Sequence, residues 1–449
     1  MSNISLFNIF SKEIFNFSQK FTNHLSKPQQ GNFRELIRGM IIQKEIFLTE
    51  IGKVNSGEIT KRKNTERLSN TLSKINALEF TQIHINSKAI MYKDEPVLIL
   101  SDGGDIQKPY ANSSKERGME MVCGNIDGSN GHRTGRGYYT QSLVAYGTDT
   151  EKLMPLGQHL YSTETEDFKS QWDEDKKVFE QLSYFITSST QDRIIVEDRG
   201  CDDEKRFVYF REELGASFIT RVHTGIKSRK LIMKDEDDNL IKTSIQDLAE
   251  RLAEKAGDER TWKNKKINKT LVSKIAYQEV CLPNHPDMLL YVICVYSEGY
   301  DNPLVILTDL EPKDTKDAWK YFFYYKKRWE VENFYRAIKQ NFSEEKFLIR
   351  DYKKIQALMF MIMLVYALLI TLKQKLNEFL EMLYPVFTEF CRKEQRENNH
   401  HLDLLAFLRD CFKSIPQDYS YRFWSLKISR HRYQPNKDQL KLLDFRKNW

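Results

Sequence analysis

The sequence predicts an α/β protein with helical regions at both ends and a β-rich segment within its core. Two short apolar runs, VLILS and RIIVE, each lead into an Asp followed closely by a Gly, residue types that end strands and begin turns. Residues 223–310 hold five strand-like runs around one charged helical segment, whereas residues 1–95 and 351–449 show mainly helical spacing. With 449 residues the chain is long for one domain, so we expect several.

The N-terminal region, residues 1–95, is predicted to be helical. FRELIRGMIIQKEIFLTEIGK follows Asn32, a candidate N-cap, and TERLSNTLSKINALEF forms a further helix after the basic run at 61–63. This region holds 14 Lys and Arg against 9 Asp and Glu, and residues 413–449 hold 9 against 3. Basic ends around a slightly acidic middle suit a protein that holds DNA with its arms, although solvated basic ends are the simpler alternative.

The central and C-terminal elements follow in a regular order. Residues 96–222 contain the strands VLILSD and GYYTQSLVAYG, a polar helix near 164–187, the strand RIIVED, a helix at 202–214 and the strand SFITRV. The segment 311–350 carries a polar helix. The uncharged run at 357–372 has 16 residues, which is short for a membrane span, so we predict a buried helix there.

The composition excludes some classes of protein. The six cysteines form no Cys-x2-Cys pair and the nine histidines are scattered, so a zinc site is not expected. Dispersed cysteines fit a reducing cytosol, and the start MSNISLFNIFSKEIFNF mixes charge and polarity as no signal peptide does. We therefore expect a cytoplasmic protein without a membrane segment. The net charge of +6 is modest.

Four polar residues in the segment 311–350 are spaced to lie on one side of a single helix: Tyr325, Arg328, Glu332 and Lys339. Trp329 lies at the flank of this face. The opposite side collects apolar residues that can dock on a core, namely Phe323, Val331, Phe334, Ala337 and Ile338. A solvated face with an Arg328–Glu332 helix salt bridge would show the same spacing, so periodicity leaves both interpretations open.

The same spacing, Tyr-x2-Arg-x3-Glu-x6-Lys in YYKKRWEVENFYRAIK, resembles the signature of the insertion-sequence-four family of bacterial DDE transposases. In that family the Glu is the third catalytic carboxylate and two Asp precede it. PVLILSDGGDIQK resembles the first motif, with Asp102 at its strand end, and DRIIVEDRGCDDEKRF resembles the second, with Asp198. The three motifs occur in the family's order between about residues 95 and 350.

Each motif taken singly has a simpler interpretation. An Asp after a strand is most often a strand terminus, and we interpret Asp105, Asp202 and Asp203 as turn or helix-capping residues. The first motif also departs from the family, because it has Gly103-Gly104 where many members have Asp or Thr. It is the ordered occurrence of all three motifs that favours metal-binding carboxylates.

The resemblance implies a ribonuclease H-like catalytic core, in which Asp102, Asp198 and Glu332 hold two Mg²⁺ ions, with Mn²⁺ able to substitute. The core spans 96–222 and 311–350, with a β-rich insertion at 223–310, a terminal-repeat-binding region at 1–95 and a helical region at 351–449 that serves dimerisation and DNA contacts. The implied DNA-binding residues are Tyr325, Arg328, Trp329, Lys339, Arg199 and Arg336. A base-stacking role for Trp329 is as plausible as a core position.

The implied function is binding of terminal inverted repeats in double-stranded DNA, cleavage at the element ends and joining of the 3′-hydroxyls to target DNA by a homodimer in a synaptic complex. Two other classes stay open. A different ribonuclease H-like nuclease would share the three acids but has no reason to carry the Tyr, Arg and Lys pattern. A catalytically inactive, transposase-derived DNA-binding protein would bind the repeats without cutting them. Inverted repeats flanking the gene would favour a mobile element.

Overall fold

The computed structural model describes residues 3–393, apart from 44–45, 56–58, 109–110, 112–118, 128–133, 226–227, 236, 238, 265–267 and 343. The N-terminal region is helical, as predicted, and its helices are α1 Asn3–Thr22, α2 Lys27–Gln43, α3 Leu48–Ile51, α4 Lys61–Leu72 and α5 Ala77–Lys88. Asn32 is not an N-cap. It lies inside α2, where its amide donates to the Thr71 hydroxyl at 3.0 Å, so the helix begins six residues earlier than the sequence suggested.

The next part of the chain forms the strands and helices of a mixed α/β core: β1 Val97–Gln107, β2 Cys123–Asp127, β3 Thr134–Gly147, β4 Leu153–Tyr161, α6 Gln171–Phe179, α7 Ser183–Thr187, β5 Arg193–Glu197, α8 Glu204–Val208 and β6 Ser217–Arg221. The strands lie in the order β4-β3-β1-β5-β6. β1, β5 and β6 are parallel neighbours, whereas β3 is antiparallel to both β1 and β4. This arrangement confirms the predicted fold class.

The β-rich segment continues the same sheet instead of forming a separate one. Its elements are β7 Lys230–Lys234, β8 Leu240–Ser244, α9 Ile245–Lys255, β9 Gly257–Asn264, β10 Lys269–Leu282, β11 His285–Ser297 and β12 Leu304–Thr308. β12 pairs antiparallel with β6, and β11, β10, β7 and β8 follow outward. β9 also pairs with β10, so the described residues form one sheet of 12 strands. The last strand of the β-rich segment therefore lies directly beside β6.

Three helices complete the described chain: α10 Thr315–Lys327, α11 Trp329–Phe342 and α12 Tyr352–Lys393. α12 packs on β4 and on the N-terminal helices α2, α4 and α5. Two hydrogen bonds join α12 to its neighbours. Gln356 donates to the Leu160 carbonyl of β4 at 2.8 Å, and Lys88 of α5 donates to the Thr371 hydroxyl at 3.1 Å. One hydrophobic cluster therefore runs from the N-terminal helices through the sheet to α12.

The apolar segment of α12 is a core helix. By length and composition, Tyr352–Leu372 is long enough to cross a membrane, but 89% of its most apolar stretch is buried inside the protein. The burial extends around the whole helix, because side chains on every face of 357–368 are enclosed. The prediction of a buried helix at 357–372 is confirmed. The basic, aromatic segment RFWSLKISRHRYQ lies outside the described residues.

Candidate active site

Adjacent parallel strands bring the two motif aspartates to one edge of the sheet. β1 and β5 pair from Val97↔Arg193 to Leu100↔Val196, and parallel strands end at the same edge. Asp102 follows two residues after this ladder, still within β1, and Asp198 begins the turn after β5. β1 continues past Asp102 to Gln107, so the prediction that this strand ends at Asp102 is wrong. Both aspartates nevertheless lie near the start of α11, which carries Glu332 in its first turn.

The three carboxylates converge on one guanidinium. Arg328 Nη1 lies 3.3 Å from Asp102 Oδ2, and its Nη2 lies 3.4 Å from Asp198 Oδ2 and 3.1 Å from Glu332 Oε1. Arg328 is itself largely enclosed, with 9% of its side chain exposed. Residues separated by 96 and by 134 positions in the chain thus meet within one hydrogen-bonding shell.

Two tyrosines hold the aspartates from the helix side. The Tyr325 hydroxyl donates to Asp198 Oδ1 at 3.0 Å, and the Tyr335 hydroxyl donates to the backbone carbonyl of Asp102 at 2.8 Å. The Tyr335 ring packs against Gly104, where an added Cβ would lie 3.3 Å from the ring and 3.0 Å from the Thr140 hydroxyl. At Gly104, where the first motif departs from the family, the Tyr335 ring therefore occupies the space that a side chain would take.

The segment that carries the Tyr, Arg, Glu and Lys pattern is not a single helix, so that prediction is wrong. α10 ends at Lys327 and α11 begins at Trp329. At the junction, the Arg328 amide donates to the Tyr325 carbonyl and the Val331 amide donates to the Arg328 carbonyl, both at 3.0 Å. These bonds span three residues instead of four, which tightens the turn. The tightening places Arg328 over the carboxylates while Tyr325 still reaches Asp198.

Burial and Arg328 set the ionisation of the two aspartates in opposite directions. Burial raises the pKa of Asp102 to about 6, and the charges of Glu332 and Asp198 add to this, while Arg328 opposes it. Burial also disfavours the Asp198 carboxylate, but Arg328, the Arg199 amide and the Tyr325 hydroxyl outweigh it and hold its pKa below the usual value. The cluster therefore has carboxylates that repel one another and need a positive charge among them.

The donor set fits a hard divalent cation, because three carboxylates from three separate elements supply the oxygen ligands that Mg²⁺ prefers. Within the described residues, however, no group of three or more Asp, Glu, His or Cys side chains is arranged around a common metal position. The Arg328 guanidinium lies among the carboxylates instead. A metal ion would take over the neutralising role that Arg328 fills here.

The other expected DNA-binding residues lie around this cluster and differ in their exposure and in their partners. Arg199 and Arg336 are exposed, and Arg336 also contacts the Asn333 side chain at 3.2 Å. Trp329 is half-buried at the start of α11. Lys339 lies at the far end of that helix and pairs with Glu345 at 3.1 Å. The structure thus brings Tyr325 and Arg328 into the carboxylate cluster and leaves Lys339 outside it.

Sequence reasoning missed residues that the structure places beside the site. Arg221 ends β6, the next parallel strand, and its charge lowers the pKa of Asp198. Arg221 follows the apolar run SFIT just as Asp198 follows RIIVE, and this similarity could have indicated Arg221. Tyr335 lies three residues after Glu332, so the helical-face argument could have included it. Neither residue belongs to the sequence pattern that first drew attention to the segment.

The interpretation of the neighbouring acids is correct in part. Asp203 is the N-cap of α8 and accepts from the Lys205 amide at 3.0 Å. Asp202 is the C-cap of the short 3-10 helix Arg199–Cys201, and its side chain pairs with Arg229 at 2.7 Å, which links the second motif to the β-rich segment. Asp105 lies inside β1 and not in a turn, because the strand continues through Gln107.

Comparison with known proteins agrees with the fold. No curated protein matches the chain. The family model described as the transposase DDE domain matches residues 96–368, which is more than half of the chain and includes all three converging carboxylates. The chain belongs to the family of transposases that carry a DDE domain.

Proposed function

We propose that this transposase binds terminal inverted repeats, cleaves DNA at the element ends and joins the freed 3′-hydroxyls to target DNA at the cluster of Asp102, Asp198 and Glu332. The observation that carries the proposal is the convergence of these three carboxylates on Arg328 at one edge of the sheet. Carboxylates held this close are costly unless a cation neutralises them. A site with that requirement suits chemistry at a phosphodiester, where metal ions and cationic side chains both take part.

Both reactions are in-line displacements at phosphorus. Two Mg²⁺ ions, or Mn²⁺ in their place, would be held by Asp102, Asp198 and Glu332, and would activate the attacking oxygen and stabilise the leaving one. With metal ions bound, Arg328 would leave the carboxylates and could bind the phosphate next to the scissile bond. Tyr325 and Tyr335 keep the Asp198 side chain and the Asp102 backbone in place through the bonds described above.

The surrounding cations serve the DNA backbone in this proposal. Arg199, Arg221 and Arg336 lie at or near the strand ends and α11, where they can neutralise phosphates without carrying sequence information. Lys339 joins them once it leaves Glu345, and Trp329 can stack on an unpaired base. Recognition of the terminal repeat falls to the helices of residues 1–95.

The decisive variant is Glu332→Gln, which keeps the size of the side chain and removes the charge that holds a metal. With a duplex that carries the inverted repeats flanking the gene, we expect cleavage in Mg²⁺ to be lost and binding in EDTA to persist. Glu330→Gln is the matched control, because Glu330 lies on the same helix and contacts Asn333 instead of the cluster. Cleavage by Glu332→Gln at the wild-type rate would contradict the proposal. Repeat binding by a wild-type protein that never cleaves would favour an inactive DNA-binding descendant.

Transposition joins two element ends, so the proposal includes a homodimer in the synaptic complex, held through the helical region after residue 350. Sizing in solution with terminal-repeat DNA should give a complex of two proteins and two DNA ends. A complex of one protein and one end that still carried out coupled strand transfer would contradict this assembly.

A further inference from the structure

A buried polar network lies directly beneath the carboxylate cluster. The backbone ladder between β1 and β5 ends at Leu100↔Val196. The next residue on each strand is polar: Ser101 on β1 and Glu197 on β5, both fully buried. The Ser101 hydroxyl donates to Glu197 Oε1 at 2.9 Å. A side-chain hydrogen bond therefore joins the two strands where their backbone pairing stops, one residue before each aspartate of the cluster.

Arg206 closes this network from the other side of the turn that carries Asp198. It donates to both oxygens of Glu197, with its Nε 2.9 Å from Oε2, and its Nη1 donates to Asp175 Oδ2 at 3.0 Å. The Arg206 guanidinium lies over the Trp172 ring, 4.6 Å from its centroid. The ring contacts the face of the guanidinium, and the hydrogen bonds to the carboxylates hold its edges. Arg206 thus ties α8 and α6 to the last residue of β5.

A glutamine completes the network on the third strand. Gln141 on β3 donates to the Ser101 hydroxyl oxygen at 2.7 Å, which leaves the Ser101 proton to point at Glu197. The donors therefore run in one direction, from Gln141 through Ser101 to the Glu197 carboxylate, where Arg206 also donates. Three strands and two helices meet in one chain of hydrogen bonds.

We propose that Ser101, Glu197 and Arg206 are positioning residues that set the separation of Asp102 and Asp198 for metal binding. This inference rests on the proposed function. A buried ion pair is seldom more stabilising than apolar packing of the same volume, so stability alone does not account for a carboxylate buried next to Asp198. The hydrogen bonds made by Ser101 and by both oxygens of Glu197 restrict these groups to one geometry, and removal of such supporting contacts typically costs about 10- to 100-fold in metal affinity.

The test measures Mn²⁺ binding to the full chain by electron paramagnetic resonance in the absence of DNA, with thermal unfolding in EDTA measured in parallel. Ser101→Ala removes the one bond that joins the two strands at this level. We expect the variant to stay folded, with a melting midpoint close to wild type, and to bind Mn²⁺ about 10- to 100-fold more weakly.

Ser273→Ala is the matched control. Ser273 is a buried serine on β10 whose hydroxyl joins Trp262 at 3.0 Å and Ser297 at 2.7 Å, far along the sheet from the carboxylates. It loses a comparable pair of hydrogen bonds, and we expect its Mn²⁺ affinity to match wild type. An equal loss of Mn²⁺ affinity in both variants would mean a general loosening of the sheet and would overturn the positioning role.

A second variant keeps the proposal testable if Ser101→Ala does not fold. Gln141→Met removes the donor that orients the Ser101 hydroxyl and leaves the Ser101–Glu197 pair in place, so a smaller loss of Mn²⁺ affinity is expected.

Asp198→Asn separates the two proposals. If wild type binds Mn²⁺ and Asp198→Asn does not, the proposed metal site is supported. In that case, Ser101→Ala and Gln141→Met variants that bind Mn²⁺ with wild-type affinity would overturn the positioning role alone. Mn²⁺ binding that is indifferent to Asp198 would overturn both proposals.

Discussion

Arg328 is the cation on which the carboxylate cluster depends, so its replacement should destabilise the protein when no metal is present. Arg328→Gln removes the charge and leaves a shorter, polar side chain. Breaking a fully buried ion pair costs about 3–5 kcal/mol, whereas exposed pairs contribute up to about 1 kcal/mol. The partners of Arg328 are only partly enclosed, with Asp102 at 24% and Asp198 at 37% exposed. We therefore expect a loss of about 2–3 kcal/mol in the free energy of unfolding in EDTA.

The loss should depend on pH and on metal. Burial raises the pKa of Asp102 to about 6 in the wild type, although Arg328 opposes this shift. Without Arg328 the pKa of Asp102 rises further above its unfolded value, so the variant loses stability as the pH rises from about 4 through 6. Mn²⁺ should restore the stability of the variant, because the ion replaces the missing positive charge. The gain from Mn²⁺ should be smaller in the wild type, where the ion must first displace Arg328.

The assay is urea unfolding, in EDTA and in Mn²⁺, at pH 5 and pH 8. Lys327→Gln is the control, because this neighbouring lysine contacts Tyr146 and the exposed Glu151 instead of the cluster. Its effect should stay below about 1 kcal/mol and should not respond to Mn²⁺. An Arg328→Gln protein that is as stable as wild type in EDTA, or whose deficit is unchanged by Mn²⁺, would refute the reasoning.

Two further predictions concern the DNA contacts and the core. Glu345→Gln should release Lys339 from its 3.1 Å ion pair, tighten binding of terminal-repeat DNA and steepen its salt dependence by about one phosphate; Glu298→Gln, an exposed acid of the β-rich segment, should change neither quantity. Leu364→Ala should lower the free energy of unfolding by about 2–5 kcal/mol in detergent-free urea titrations, because Leu364 is fully buried in α12. A cost below about 1 kcal/mol would contradict the assignment of α12 to the core.

The elements that sequence reasoning identified are those with a strong local pattern. β10 and β12 coincide closely with their apolar runs, and α9 with its amphipathic spacing. β4, by contrast, was missed, although it is almost entirely buried. Its sequence LMPLGQHLY contains Pro and Gly, which lower the preference for a strand. The Pro155 carbonyl accepts from His84 of α5 at 2.9 Å, a contact that only the packed N-terminal helices supply.

The sequence by itself determined that an aspartate follows each of two apolar strand segments and that a helical segment carries a glutamate with an arginine four residues before it, because strand and helix patterns are local properties. The tertiary structure decided what those groups face. Arg328 was expected to lie beside DNA phosphates, but the turn between α10 and α11 directs it onto the three carboxylates. Sequence analysis did not single out Glu197, the last residue of the run RIIVE. It is buried because Arg206, nine residues later, returns across the turn to neutralise it, and that pairing exists only when the sheet and α8 are packed together.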